Sequence, residues 1–307
     1  MEIKPRLVII GAGGRLGAAL GREYARDFRV AGFNHAQLDL AEADAIRRTL
    51  AGAEFDLLIN CAAQTNVDRC ETERAEAFAL NAEAPRVLAE VCDGGGARLI
   101  HISTDYVFDG ERAEPYREED EARPISVYGE SKLEGERHVL AASERNFVAR
   151  VSWVFGPDRP SFIDGIIKNA LEKEQVEAVA DKTSTPTYTP DIAQMLRALW
   201  SQGVPAPADS DVREIGGLFH LTNSGACSWQ EYGQWALDCC HAAGVPLRAR
   251  KVGAIKLADL KNFIARRPVN TVLSTAKYER VTGQTPRSWR EAVEDYVRTH
   301  VKRRTQV

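Results

Sequence analysis

Apolar and polar positions alternate through the first half of the chain in a repeated strand–helix pattern. Short apolar runs rich in β-branched residues predict buried strands, and the stretches between them have the apolar spacing of helices. The predicted strands are 6–10, 29–33, 56–60, 98–102 and 147–151, and the predicted helices are 18–26, 43–50, 73–92 and 127–141. Strands that alternate with helices are joined by crossovers, so the pattern predicts an α/β fold with a parallel sheet. Ligands of such sheets bind at the carboxyl ends of the strands.

The second half of the chain has a mixed pattern. A Pro- and Gly-containing break at 156–160 is followed by a predicted helix at 162–174. A surface loop is predicted at 201–211, and a further helix at 229–243 begins after Ser228, which is a favourable N-cap. This pattern alone does not place a domain boundary.

The first predicted strand leads into a glycine-rich turn and then into a helix. Gly11, Gly14 and Gly17 stand where glycine permits a tight turn, a close approach of the backbone to a pyrophosphate, and close packing of the helix. The N–H groups at the start of the following helix attract an anion. A glycine motif by itself does not identify a dinucleotide site, so a second motif is needed.

A hydroxyl residue and a Tyr–Lys pair form that second motif. Thr104 follows the fourth strand, and Tyr128 and Lys132 stand four residues apart on a predicted helix, where they share one face. A free phenol has a pKa of about 10, and a nearby ammonium stabilises the phenolate and lowers that pKa. Thr104 would hold a substrate oxygen against the phenol. The alternative is a Tyr and a Lys on a solvated helix face, and the upstream glycine turn favours the catalytic interpretation.

Together these residues resemble the extended short-chain dehydrogenase/reductase superfamily and, within it, the family of dTDP-4-dehydrorhamnose reductases. The resemblance covers nearly the whole chain and rests on motifs at 60–68, 103–110, 127–136, 150–156, 185–189, 217–222 and 267–273. It implies a Rossmann-type doubly wound parallel sheet with a second, smaller substrate-binding lobe. The implied dinucleotide-binding domain is 1–153 with roughly 188–226 and 264–279, and the implied lobe is roughly 154–187, 227–263 and 280–307.

The resemblance also implies a reaction, the NAD(P)H-dependent reduction of dTDP-4-dehydro-L-rhamnose to dTDP-L-rhamnose. Tyr128 would deliver the proton, Lys132 would lower the pKa of Tyr128 and hold the nicotinamide ribose, and Thr104 would orient the 4-keto group. Asn60 and Asn81 are expected to have structural roles. Another nucleotide-sugar 4-ketoreductase or an epimerase is the alternative among enzymes. A regulatory subunit like that of methionine adenosyltransferase is the non-catalytic alternative, which the intact Thr–Tyr–Lys set disfavours.

The end of the second strand favours NADPH over NADH. An acid there would bind the ribose diol of NAD, whereas this chain has Asn34 and His35. Arg15 is expected to reach a 2′-phosphate, and exposed loop polarity is the alternative for Arg15 and His35. Gln64 departs from the His or Tyr of the family. The other cofactor contacts implied by the resemblance are Gly11, Gly14, Leu16, Gly17, Asp39, Leu40, Ala62, Ala63, Gln64, Thr65, Ser103, Tyr128 and Lys132.

Substrate contacts are expected from Thr104, Asp105, Tyr128, Trp153 and Arg267. In the family this Trp packs on the sugar, and Asp105 would accept hydrogen bonds from sugar hydroxyls. Arg267 would meet a diphosphate, because a guanidinium matches phosphate oxygens. The alternatives are a core Trp at a domain junction and a salt-bridged surface Arg. No thymine pocket can be recognised in the sequence.

Composition narrows the expected partners. The 307 residues, with a formal net charge of -4 and 44% hydrophobic content, suffice for a full core and give no reason to expect nucleic acid or a membrane surface. No apolar run approaches the roughly 20 residues of a membrane span, and no signal peptide is visible. The six cysteines lack metal-like spacing and indicate reduced thiols. We therefore expect a cytoplasmic enzyme without a metal, as a monomer or homodimer, with a nucleotide-sugar substrate.

Overall fold

The computed structural model describes residues 4–201 and 216–301, and within them no helix has the length and apolar content of a membrane span. The surface loop expected at 201–211 lies outside these ranges apart from its first residue. The strands are β1 (Arg6–Ile10), β2 (Arg29–Phe33), β3 (Leu57–Asn60), β4 (Arg98–Thr104), β5 (Phe147–Val151), β6 (Val154–Phe155), β7 (Val176–Val179), β8 (Thr183–Ser184), β9 (Thr187–Tyr188), β10 (Gly217–His220), β11 (Cys227–Ser228) and β12 (Val252–Ile255). The helices are α1 (Arg15–Tyr24), α2 (Ala43–Ala51), α3 (Val67–Thr72), α4 (Arg74–Phe78), α5 (Ala84–Gly94), α6 (Val127–Ala142), α7 (Phe162–Glu172), α8 (Thr189–Ser201), α9 (Trp229–Ala242), α10 (Ala276–Thr282) and α11 (Trp289–Tyr296).

A six-stranded sheet with the order β10-β5-β4-β3-β1-β2 organises the chain. Every pair in it is parallel. The chain proceeds from β1 to the edge strand β2 and then returns to build the other half from β3, so the direction of winding reverses beside β1. Doubly wound sheets form their ligand crevice at this reversal. The predicted α/β fold is confirmed, and β10 adds an edge strand that the apolar pattern did not predict.

Both faces of the sheet are covered by helices, which explains why β1 is an uninterrupted apolar run. Successive side chains of a strand point to opposite faces. Leu7 and Ile9 therefore pack in one core with α1 and α8, and Val8 and Ile10 pack in another with α2 and α5. These two cores hold the strand ends and the following turns in fixed positions.

A third apolar core lies apart from the sheet and joins α7, α9 and α11. Ile163, Tyr232 and Trp289 are almost fully buried in it. In contrast, α8 and Tyr278 of α10 pack with the core of the sheet. We propose that the third core is that of the substrate-binding lobe, because α7, α9 and α11 pack in it while α8 and α10 pack with the sheet. Tyr188 of β9, expected in the dinucleotide-binding domain, also packs in the third core.

The helix predicted at 73–92 is interrupted. It consists of α4, a π-helical turn at Ala79–Glu83 and α5, and the short helix α3 before it was not predicted. A π-helical turn inserts an extra residue into the helix and is frequent at functional sites. Here it contains Asn81, which is fully buried. Helix α1 begins at Arg15, three residues earlier than predicted, because Gly14 of the glycine turn is its N-cap.

Candidate active site

The turn between β1 and α1 has room for backbone only. Gly11 has a φ of 78°, and a Cβ on it would lie 2.8 Å from the backbone N of Ala62. A Cβ on Gly17 would lie 2.2 Å from the carbonyl oxygen of Gly11. The N-cap Gly14 provides no side-chain cap, the first turn of α1 carries no acid, and its N–H groups have no acceptor within the helix. The turn therefore fits the pyrophosphate of a dinucleotide.

The end of β2 carries no acid directed at this turn. The Oδ1 of Asn34 accepts hydrogen bonds from the backbone N–H groups of Ala36 and Gln37, at 3.0 and 3.2 Å. His35 is exposed, and Asp39 caps its own turn by accepting from Ala41 N at 3.0 Å. The amide of Asn34 thus shapes the loop, and the position that usually binds the ribose diol of NAD lacks a carboxylate.

Arg15 is directed away from the end of β2. Its guanidinium donates to the carbonyl oxygens of Val154 at 3.1 Å, of Arg159 at 3.2 Å, and of Pro160. Burial lowers the pKa of Arg15 below its usual value. All three of its nitrogens hold β6 or the segment that follows it, so a contact of Arg15 with a 2′-phosphate stays a prediction that this arrangement disfavours.

The loop after β3 is fixed by two asparagines. Asn60 Oδ1 accepts from Ala62 N at 3.1 Å. Asn81 accepts from Gln64 N at 2.8 Å, and its Nδ2 donates to Gln64 O and to Ser131 Oγ, both at 3.0 Å. These contacts connect the loop to the π-helical turn and to α6, which agrees with structural roles for both asparagines.

Several expected cofactor contacts are available through the backbone only. The side chains of Leu16 and Leu40 are buried in the cores beside the sheet. Gln64 directs its side-chain amide to Glu76 at 3.3 Å. Ala63 and Thr65 lie in the same loop, and Thr65 is exposed. The cofactor motifs therefore predict the path of the backbone around the site better than they predict which side chains contact the cofactor.

Tyr128 and Thr104 meet at the carboxyl end of β4. Tyr128 lies in the first turn of α6, near enough to the Thr104 side chain for that hydroxyl to lower the pKa of the phenol. The pKa of Tyr128 is nevertheless raised above its usual value, because the effect of burial exceeds that of Thr104. Gly129 allows this approach, since a Cβ there would lie 2.2 Å from the carbonyl oxygen of Tyr106. The fold thus brings together the hydroxyl and the phenol that the sequence predicted.

Lys132 is buried and contacts His101. Its Nζ lies 3.1 Å from His101 Nε2 and donates to the carbonyl oxygen of Ile102 at 2.7 Å. Burial lowers the pKa of Lys132 to about 8. In this structure burial and Thr104 are the largest influences on the pKa of Tyr128, and a lowering of that pKa by Lys132 stays a prediction.

His101, which the sequence did not single out, lies between two donors. Its Nδ1 is 3.1 Å from Asn60 Nδ2, which is oriented there because Asn60 Oδ1 accepts from Ala62 N. A neutral imidazole has one acceptor nitrogen. If Nδ1 accepts from Asn60, then Nε2 carries the proton and donates it to Lys132. In this tautomer Lys132 is a neutral amine, the form that predominates only above its pKa of about 8.

The buried Lys132 predicts a pH-dependent stability. Between about pH 8 and its unfolded pKa of about 10.4, the unfolded chain keeps a proton that the folded protein has released, so the Lys132 contribution rises with pH. Below about pH 8 Lys132 is protonated in both the folded and the unfolded protein, so the full cost of burying its charge lowers the free energy of unfolding. From pH 7 to 9.5 we expect wild type to gain about 2 kcal/mol of unfolding free energy relative to Lys132→Met. Urea denaturation at both pH values measures this, and a constant difference would contradict the assignment.

Ser103 belongs to a buried ion pair. Its Oγ donates to Glu136 Oε1 at 2.5 Å, and Glu136 accepts from Arg150 Nε at 2.9 Å and Nη2 at 2.6 Å. Both charged side chains are almost fully buried. The Ser103 hydroxyl is directed to this pair, and a contact of Ser103 with the cofactor stays a prediction.

Asp105 is also occupied by the protein. Its Oδ2 accepts hydrogen bonds from Ser152 at 2.9 Å, Ser184 at 3.0 Å and Thr271 at 2.5 Å, and its Oδ1 accepts from Thr104 at 3.1 Å. The residue is 2% exposed. Four protein hydroxyls from separate segments already surround Asp105, and its contact with sugar hydroxyls stays a prediction.

Arg267 forms an ion pair with Asp68. Its Nη2 donates to Asp68 Oδ2 at 2.7 Å, and its guanidinium lies 4.4 Å from the ring centre of Phe263. Asp68 Oδ1 also accepts from the backbone N–H groups of Ile264 and Ala265, both at 2.9 Å. Arg267 is thus salt-bridged but buried, with 8% of its side chain exposed, and its contact with a diphosphate stays a prediction.

Trp153 follows β5 in an unusual backbone conformation, with a φ of 38°. Its ring packs against Trp229 at 5.9 Å and against Tyr232 at 6.4 Å. The residue is half-buried at the edge of the third core. It therefore lies at the junction of the sheet and that core, and its contact with a sugar stays a prediction.

Lys182 is a further buried residue near Tyr106 that sequence reasoning missed. Its Nζ donates to the carbonyl oxygen of Pro268 and lies 5.0 Å from the ring centre of Tyr106. Burial lowers its pKa to about 8. The Tyr106 ring in turn lies 5.7 Å from that of Tyr128. A Lys in a polar loop gives no sequence signal of burial, so only the fold could reveal it.

Comparisons with known proteins agree with this geometry. The family model described as "RmlD substrate binding domain" matches residues 5–301. This chain belongs to the RmlD substrate binding domain family. The predicted resemblance is therefore confirmed.

Several relatives of this chain are named as reductases. A dTDP-4-dehydrorhamnose reductase of Mycolicibacterium smegmatis is 38% identical over 95% of this chain and 85% of its own length. A probable dTDP-4,6-dihydroxy-2-methyloxan-3-one 4-ketoreductase of Streptomyces antibioticus is 35% identical over 94% of both chains. A crystal structure of dTDP-4-dehydrorhamnose reductase from Bacillus anthracis in complex with NADP has 30% identity and a TM-score of 0.86, and covers 96% of this chain and 99% of its own.

Proposed function

We propose that this protein reduces the 4-keto group of dTDP-4-dehydro-L-rhamnose with NADPH to give dTDP-L-rhamnose. The observation that carries the proposal is the contact of Thr104 with Tyr128 at the carboxyl end of β4, on the sheet edge that also bears the glycine turn. The names of full-length relatives and the NADP complex of a related structure support the substrate and the cofactor.

Each group of the site has a defined task in this reaction. NADPH supplies the hydride when it is bound. Because burial raises its pKa, the Tyr128 phenol keeps its proton at neutral pH and can donate it to the substrate oxygen as negative charge develops. Thr104 orients that oxygen by a hydrogen bond. The glycine turn binds the pyrophosphate, and Lys132 holds the nicotinamide ribose.

All six cysteines are free thiols, which is typical of a protein in a reducing compartment. Disulfides are rare where cellular thiols are kept reduced. We propose that the reaction takes place in the cytoplasm, carried out by a monomer or a homodimer. Sedimentation analysis of the purified protein measures whether it is a monomer or a homodimer.

A panel of nucleotide 4-keto sugars tests the substrate. We expect the highest kcat/KM for dTDP-4-dehydro-β-L-rhamnose, because Trp153 offers a flat apolar face to the methyl group of a 6-deoxy sugar. One apolar contact discriminates by about 1–3 kcal/mol, so a 6-hydroxylated analogue should be slower by roughly 10- to 200-fold. NADPH oxidation at 340 nm gives the rates, and a Trp153→Leu variant should narrow the difference.

Two outcomes of this panel would change the proposal. A clear preference for another base or for a 6-hydroxylated sugar would replace the substrate and leave a ketoreductase, which the Streptomyces antibioticus relative makes the second candidate. Tightly retained NAD with epimerised product and no net oxidation would indicate an epimerase.

A further inference from the structure

We propose that Arg159 recognises the 2′-phosphate that distinguishes NADPH from NADH. This inference rests on the proposed function, because it assumes that a nicotinamide dinucleotide occupies the glycine turn. It replaces Arg15, the Arg that the sequence favoured, with one from the segment that follows β6.

The position of the Arg159 guanidinium is the first argument. Its Nε donates to the carbonyl oxygen of Gly13 at 2.5 Å. Its Nη2 lies 3.7 Å from the point where a Gly13 Cβ would stand, and Asn34 Cβ lies 3.5 Å from the same point. The guanidinium and the end of β2 therefore meet over the glycine turn. In a dinucleotide-binding fold the adenosine ribose and its 2′ substituent lie at this place.

The charges around Arg159 also support the inference. Within residues 4–201 and 216–301, no carboxylate forms an ion pair with it. The adjacent Asp158 pairs instead with Arg22, with an Nη1–Oδ1 distance of 2.5 Å. Because Asn34 stands where NAD-binding folds carry an acid, nothing at the end of β2 repels a phosphate. The positive charge of Arg159 is thus available to a ligand.

The support of the segment is the third argument. Arg15 donates to the carbonyl oxygens of Val154, Arg159 and Pro160, so it fixes the backbone on both sides of the Arg159 side chain. Nε donates to Gly13, and within the described residues neither Nη group forms a hydrogen bond. A guanidinium presents them as a planar fork that matches two phosphate oxygens. Arg15 therefore acts as a positioning residue for Arg159.

Direct binding measurements test the inference without turnover. The probes are adenosine 2′,5′-bisphosphate by calorimetry, and NADPH and NADH by quenching of tryptophan fluorescence. For Arg159→Gln we expect the Kd values of the bisphosphate and NADPH to rise roughly 10- to 100-fold, because a charge-assisted contact is lost. The Kd of NADH should change by less than about twofold, since NADH lacks the contact. Arg159→Lys should recover part of the loss.

A matched control separates this contact from general charge. Arg26 is exposed near the end of α1 and is not part of the site, so Arg26→Gln removes the same charge and should leave all Kd values unchanged. The preference of wild type for NADPH should weaken with added salt, and that of Arg159→Gln should not.

The outcomes separate the inference from the proposed function. If wild type binds NADPH tightly and Arg159→Gln binds it equally well, Arg159 is not the recognition residue, although the reductase assignment stands. Equal losses for NADPH and NADH would show a structural role and would also overturn the inference. If wild type binds neither NADPH nor NADH, the proposed function is wrong, and the inference about Arg159 is wrong with it.

Discussion

Tyr128→Phe is expected to lower kcat for the 4-keto sugar by roughly 10²- to 10⁴-fold, the range of a general-acid contribution. The change removes the hydroxyl that would donate the proton and keeps the ring that packs 5.7 Å from Tyr106. Thr104 keeps its contacts with Asp105 at 3.1 Å and with Tyr106 N at 3.2 Å. The fold and the affinity for NADPH should therefore stay close to those of wild type.

Single-turnover reduction and cofactor binding measure the two parts of this expectation. Tyr106→Phe is the matched control, because it removes a neighbouring phenol hydroxyl from a residue not assigned the proton. It should reduce kcat far less than Tyr128→Phe. Turnover of Tyr128→Phe within a few-fold of wild type would refute the assignment of the proton to this phenol.

Arg150→Leu is expected to destabilise the protein by about 3–5 kcal/mol, because it leaves the buried Glu136 carboxylate without its partner. In wild type the guanidinium forms two hydrogen bonds with Glu136, at 2.6 and 2.9 Å, and the two side chains are only 4% and 3% exposed. The single hydrogen bond from Ser103 does not offset the cost of burying the Glu136 charge without Arg150. Denaturant unfolding measured at pH 7 gives the change in free energy.

A double variant and a surface control sharpen this test. Arg150→Leu combined with Glu136→Leu removes both charges and should recover much of the stability, since apolar replacements of a buried pair are often tolerated. The exposed pair of Arg47 and Glu90, 2.7 Å apart, is the control, and Arg47→Leu should cost less than about 1 kcal/mol. A double variant as unstable as Arg150→Leu would show that packing around Arg150, and not the unpaired charge, determines the loss.

The sequence by itself determined five of the six strands of the sheet and the path of the backbone around the site. The apolar run of β1 and the glycines at 11, 14 and 17 predict strand, turn and helix from local rules, because only glycine fits at Gly11 and Gly17. The spacing of Tyr128 and Lys132 fixes their helix face, and Thr104 ends β4 as expected. These features depend on backbone geometry and on residues that are near one another in the chain.

Only the tertiary structure decided the partners of the long polar side chains. Arg15 is directed to the segment after β6, Arg267 to Asp68, and Lys132 to His101. A guanidinium or an ammonium on a flexible stem can satisfy its donors in many directions. Its partner is the acceptor that the fold brings within reach, and that acceptor lies far away in sequence.

The sequence likewise did not show which charged side chains are buried. Asp105, Lys182 and Glu136 stand among polar residues, and Arg150 stands in the apolar run of β5, so the local sequence names no partner for any of them. Glu136 of α6 meets Arg150 of β5, and Asp105 meets hydroxyls of other segments, which a local pattern does not contain. Hydrophobic periodicity predicts which face of an element is covered, and only the assembled fold shows which polar groups are covered with it.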